Sequence, residues 1–229
     1  AGRNLPPQQR AASTISGRPM TRLIDAANRF ARGIPIWTVY LALALPIPWF
    51  FYQGLTGGLG REPIRALEHL YGAWALRLLI AGLTITPLRR FSGVNLLRFR
   101  RAIGVMTFVY VLAHLLVWAV LDVQTLERVW ADILKRPYVT IGMAGFLCLV
   151  PLAATSNNWS VRKLGPRWRK LHQLTYVAAV LGAVHYIWLA KGFQLEPLIY
   201  AAVILGLLVM RLRLRNVRFL QKRRSRVTR

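Results

Sequence analysis

Apolar residues fall into six long runs along the chain, and arginine, glycine, proline and the few acids collect between them. The runs cover 34–52, 63–86, 102–121, 138–155, 171–190 and 197–212. Each holds about 16 to 24 residues, the length at which an α-helix crosses a hydrocarbon core about 30 Å thick. Inside a bilayer every backbone N–H and C=O must be satisfied by the protein itself. The pattern therefore predicts an all-α membrane protein, a six-transmembrane-helix bundle over residues 34–212. Pro46 and Pro48 lie within the first run and predict a kink or an early end there.

Residues 1–33 precede the bundle as a basic arm. Residues 1–18 are polar, with Pro6, Pro7 and Gly17, and read as disordered. Over 19–33, Leu23, Ile24, Ala27, Phe30 and Ala31 recur at helical spacing, with Arg22 and Arg29 elsewhere on the wheel. That predicts a short amphipathic helix lying on an anionic membrane face, with a frayed tail as the plain alternative. Residues 213–229 form a basic tail. The first apolar run starts late and is long enough to span, so no cleavable signal peptide is expected.

Composition agrees with the pattern. The chain has 229 residues, 55% of them hydrophobic, and a positive mean hydropathy of +0.38. That apolar share is a membrane protein's. A net charge of +25 raises nucleic acid as a partner. The basic residues lie between apolar runs rather than along one soluble face, which excludes it. Their placement instead sets orientation. The arm, the loop after run two, the loop after run four and the C-terminal segment from Arg211 hold 25 of the 32 Lys and Arg residues. The alternate loops hold six of the seven acids. Positive-inside charge therefore predicts that both termini are cytoplasmic. The lone Cys148 excludes an intrachain disulfide and a cysteine-built zinc or iron–sulfur site, and no C-x-x-C-H is present for covalent haem.

All four histidines lie in the runs, where an imidazole is costly and needs a reason. His114 is 13 residues beyond Arg101, and His185 is 15 beyond Lys170. Both are then about 20 Å from the cytoplasmic boundary at a rise of about 1.5 Å per residue. Matched depth on two helices suits two imidazoles ligating one haem iron from opposite faces. Hydrogen bonding between helices is the structural alternative. His172 sits at the inner edge and could hold a second haem, with no matching histidine on run three. On an ideal helix His172 and His185 would diverge by about 140°. His69, near the outer end of run two, could bond a haem propionate, mark an electron exit or serve as a third ligand. Arg77, deep in the same run, needs an anion such as a propionate unless its stem snorkels to the surface. Tyr176 and Tyr186 flank the histidines. Trp37, Trp49, Trp130, Trp159, Trp168 and Trp188 fall near run ends, as an interfacial belt would. Gly72, Gly82, Gly104, Gly142, Gly145, Gly182 and Gly206 would let helices or a flat macrocycle approach the backbone, a weak signal. No G-x-G-x-x-G follows a strand, so electrons would enter from membrane quinol or from a separate cytoplasmic reductase.

Several segments carry a resemblance. ITPLRR (85–90), RPYVTIG (136–142), LGPRWRKLHQLTY (164–176), HYIW (185–188) and PLIYA (197–201) closely resemble the MsrQ (formerly YedZ) family. These are the haem-binding membrane subunits of bacterial protein-methionine-sulfoxide reductase systems, within the ferric-reductase-like transmembrane superfamily. The resemblance covers about residues 34–212 and is most specific in run five. It implies a six-helix inner-membrane protein binding haem b, with FMN associated at no residue that can be named. It implies electron delivery to a periplasmic molybdoprotein of the MsrP type, which repairs oxidised methionine in proteins. It implies His114, His172 and His185 as iron ligands. The chain would then be an electron-transfer subunit of an oxidoreductase complex rather than its catalytic subunit. A ferric reductase or another quinol-linked cytochrome b subunit is the nearest alternative. A small transporter or proton channel is the non-redox one, though the two halves show no internal repeat of the kind many transporters have.

Overall fold

The computed structural model describes residues 19–190 and 194–227. The polar segment expected over 1–18, the basic Lys191 and the side chains of the 213–229 tail lie outside the described residues. Among the described residues all regular structure is helical. The amphipathic segment forms α1 (Pro19–Gly33). The first apolar run forms α2 (Ile36–Ala44) and α3 (Pro46–Leu55), split where Pro46 opens a new helix. The second run is the long α4 (Pro63–Ser92). The third is α5 (Arg100–Leu116), which continues as a π-helical turn through Val117–Val123. A short amphipathic α6 (Leu126–Lys135) then leads to α7 (Pro137–Ala154). Two short helices, α8 (Asn158–Leu164) and α9 (Pro166–Leu171), precede α10 (Leu174–Leu189). The chain ends in α11 (Leu195–Val227), which runs unbroken across the expected boundary at residue 212.

Among the described residues five stretches are long and apolar enough to cross a membrane: residues 36–55, 63–92, 97–123, 137–154 and 195–212. α10, expected as a span over 171–190, is a 16-residue apolar helix. It is shortened because the chain turns at His172 and Gln173 between α9 and α10. Large apolar side chains remain exposed all around the bundle, among them Leu41, Phe91, Val120, Leu147 and Leu205. An apolar exterior of this extent suits lipid rather than water.

The interior is organised around α4. One face packs α5, α2 and α3, with Leu67, Tyr71, Leu78, Met106 and Tyr110 at the contact. The other packs α10 and α11 through Leu76, Leu83, Ala179, Ala183 and Ile204. α7 closes the bundle against α5 and α10. The two buried tyrosines of the α4–α5 contact are tied to the backbone, as an apolar surrounding demands. Tyr110 donates to the Leu43 carbonyl at 2.9 Å and Tyr71 to the Ile47 carbonyl at 2.8 Å, which fixes the split first run against the core.

Pro87 sits inside α4 and has no N–H for the carbonyl of Leu83, four residues earlier. Arg211 of α11 repairs the gap. Its Nη2 donates to the Leu83 carbonyl and to Thr86 Oγ1, while Nη1 donates to Tyr176 Oη at 3.0 Å. One guanidinium thus joins α4, α10 and α11.

A cavity between paired imidazoles

Two cavities lie end to end inside the bundle. The first opens between α4, α5, α7 and α10, at the end that carries α6. The second lies toward the end that carries α8 and α9. Leu79, Thr107 and Leu149 border both and form the partition.

The first cavity brings together two of the histidines singled out above. His114 on α5 and His185 on α10 have ring centres 6.2 Å apart and ring planes at 77°. Each ring is held the same way. His114 Nδ1 lies 2.9 Å from the Glu68 carbonyl oxygen, and His185 Nδ1 lies 2.7 Å from the Tyr138 carbonyl oxygen. A carbonyl only accepts, so Nδ1 must carry the proton in both rings. Nε2 is then left with its lone pair, the form in which imidazole binds a metal.

Each ring also lies over a glycine. A Cβ on Gly72 would stand 3.4 Å from His114 Nδ1, and one on Gly142 would stand 2.8 Å from His185 Nδ1. The walls between the rings are lined by small residues, including Ala73, Ala75, Gly145, Ala178 and Gly182, with Val111, Phe146 and Leu149. The site therefore offers two imidazoles, each with Nδ1 bonded to a backbone carbonyl, in a largely apolar space. Among the described residues no three His, Cys, Asp or Glu side chains cluster to hold a metal ion by themselves. A metal at this site would draw its other ligands from elsewhere, as iron in a porphyrin does. With metal–imidazole bonds of about 2 Å and about 1 Å from ring nitrogen to ring centre, two axial imidazoles stand about 6 Å apart. The residues fit a haem.

The mouth of this cavity is polar. Glu68, His69, Asp122, Arg136 and Tyr138 line it. His69 meets the Tyr186 ring edge-on at 5.6 Å. Glu68 Oε1 is buried without a hydrogen-bond partner. Arg136 pairs with Asp132 at 3.3 Å, and Thr140 donates to the Ile133 carbonyl, so α6 is pinned against the start of α7.

His172 lies apart, in the second cavity. Its Nε2 is 3.1 Å from Thr155 Oγ1, and its ring stacks on Trp168 at 3.8 Å. The one Thr155 proton goes to the Pro151 carbonyl at 2.6 Å, so His172 Nε2 must be the donor. This is the opposite tautomer from the other pair. The turn at His172 also makes the ideal-helix angle to His185 inapplicable, because no continuous helix joins them. Arg100, Arg101 and Arg169 give this cavity a basic lining, with Tyr176 and Gln173.

Arg77 lines neither cavity. Its side chain is exposed, donates from Nε to Tyr200 Oη at 2.8 Å and lies over the Trp74 ring. Trp168, assigned above to the interfacial belt, instead walls the second cavity and donates to the Thr155 carbonyl at 2.9 Å. Glu68, Trp118, Asp122, Tyr138 and Met143 line the first cavity without having been singled out. Their one sequence signal is proximity, in register, to His69, His114 and Gly142.

The architecture is that of an apolar helical bundle with an internal pocket built on two imidazoles. The family model described as "Ferric reductase like transmembrane component" matches residues 71–183. Curated relatives from Brucella ovis, Brucella canis and Brucella suis are each described as "Protein-methionine-sulfoxide reductase heme-binding subunit MsrQ". Each is 49% identical over 178 residues, which is 77% of this chain and 81% of the relative. No solved structure matches. The chain belongs to the MsrQ family, and it is a multi-pass membrane protein.

Proposed function

We propose that the chain is the haem b electron-transfer subunit of a protein-methionine-sulfoxide reductase system in the bacterial inner membrane. On this reading α10 completes a set of six spans and both termini are cytoplasmic. Electrons come from membrane quinol or a cytoplasmic flavin reductase and go to a periplasmic molybdoprotein of the MsrP type. The observation that carries the reading is the pair His114 and His185, each with Nδ1 tied to a backbone carbonyl and Nε2 free. The relatives' description as heme-binding subunits supports it.

A bound haem supplies a one-electron carrier that no side chain here can supply. His114 and His185 would hold it through Nε2, with each ring already oriented by the Nδ1 bond to a backbone carbonyl. The apolar walls exclude water and hold the group by packing, since no cysteine is placed to attach it. His69, at the mouth, is a candidate for contact with its edge. His172 is a candidate ligand for a second haem in the basic cavity. That role needs ligation through Nδ1 or release of Nε2 from Thr155. FMN is a further expected cofactor of the family, without assigned residues.

The test is reconstitution. Purified chain in lipid vesicles, reduced from the inner face by a flavin reductase or by quinol, should reduce an MsrP-type molybdoprotein outside. A haem-loaded chain that reduces ferric chelates but never the molybdoprotein would favour a ferric reductase. A colourless chain would favour a transporter or proton channel.

A further inference from the structure

The two imidazole sites repeat one local pattern, four residues long, on different helices. In each, a glycine follows the accepting carbonyl by four positions: Gly72 after Glu68 on α4, and Gly142 after Tyr138 on α7. In a helix, the side chain of a residue covers the turn on its N-terminal side. A Cβ at position 72 or 142 would therefore sit over the carbonyl that the imidazole reaches. Both glycines lie inside their helices, where glycine is less favourable than alanine, and neither has a positive φ that would call for it. The space they leave is filled by the ring itself: the three atoms nearest a Cβ at either position all belong to that histidine.

We propose that Gly72 and Gly142 are positioning residues for the iron-ligating imidazoles. By giving up their side chains they let His114 and His185 lie against the helix flank and donate from Nδ1 into it. That contact sets which nitrogen remains for the metal and the angle at which each ring is presented. The inference rests on the haem reading above. The two positions are not equivalent. At 142 the added carbon would stand 2.8 Å from Nδ1 and 3.0 Å from Cε1, so the ring must move. At 72 the same distances are 3.4 and 3.5 Å, so a small shift suffices.

The experiment compares G142A and G72A with wild type and H185A, using G206A as the control. Gly206 also lies within an apolar helix, lines neither cavity, and a Cβ there meets nothing within 4 Å. The readouts are haem per chain, the low-spin ferric EPR g-values and the midpoint potential. G142A should lose haem severalfold, or keep it with displaced g-values and a shifted potential. G72A should keep its haem, with a smaller displacement in the same readouts. The G206A control should match wild type. If G142A fails to accumulate in the membrane, G72A carries the test alone. Variants at 72 and 142 with wild-type g-values and potential, beside an H185A that has lost the low-spin signal, would overturn the positioning role while leaving the haem reading intact. Wild-type protein without a low-spin haem would overturn both.

Discussion

An imidazole can donate from either nitrogen, and its neighbours decide which. His114 and His185 are held by carbonyls in the Nδ1–H form, and His172 is held by Thr155 in the Nε2–H form. The three histidines are therefore not interchangeable, although each sits in an apolar run. His172→Ala should keep the low-spin signal of the first cavity, losing at most about half the haem if a second one is bound; complete loss of the signal would contradict this separation. Haemochrome counting with a reduced-minus-oxidised spectrum is the measurement. Much of the pair was readable beforehand, because equal distance from a basic boundary is a one-dimensional property of a helix. The tautomers were not readable. They depend on carbonyls 46 and 47 residues away in sequence, on helices whose rotation no run of apolar residues specifies.

At the scale of elements, Pro87 and Arg211 act across two helices. Without Arg211, the Leu83 carbonyl has neither its own helix's N–H nor a substitute. Leaving a buried acceptor unpaired costs about 1–3 kcal/mol. Arg211→Gln should lower the melting temperature in detergent micelles. Pro87→Ala restores the N–H, so P87A/R211Q should lose less than the two single changes together. Strict additivity would show that the Leu83 contact is not what Arg211 supplies, leaving Tyr176 and Thr86 as its purpose. The six apolar runs and the break at Pro46 could be read from the sequence because each is a local pattern. The π-helical turn after His114 and the break at His172 could not. The first ends where Gln124 takes up a left-handed conformation, and the second is fixed by bonds between Thr155, Trp168 and His172. Arg211 read as one more positive charge of a tail, since nothing nearby in sequence announces the carbonyl it meets.

For the whole molecule, charge asymmetry governs placement in the bilayer. On the proposed orientation the basic second cavity and the α8–α9 segment face the cytoplasm, and α6 faces outside. α6 shows Leu126, Trp130 and Leu134, one turn apart, all exposed on one face. In a Cys148→Ala background, a membrane-impermeant thiol reagent added to intact cells should label Leu126→Cys and spare Arg162→Cys. The reverse pattern would invert the topology. The same orientation puts the paired imidazoles nearer the outer surface and His172 nearer the inner one, the order in which an electron leaving the cytoplasm would meet them.

On the proposed reading His114 and His185 together hold one iron. Low-temperature EPR of the oxidised protein tests this most directly. Two imidazoles whose planes stand at 77° predict a strongly anisotropic low-spin ferric signal, absent from both His114→Ala and His185→Ala. A wild type with only a high-spin signal, or the same strongly anisotropic low-spin signal surviving both substitutions, would contradict it.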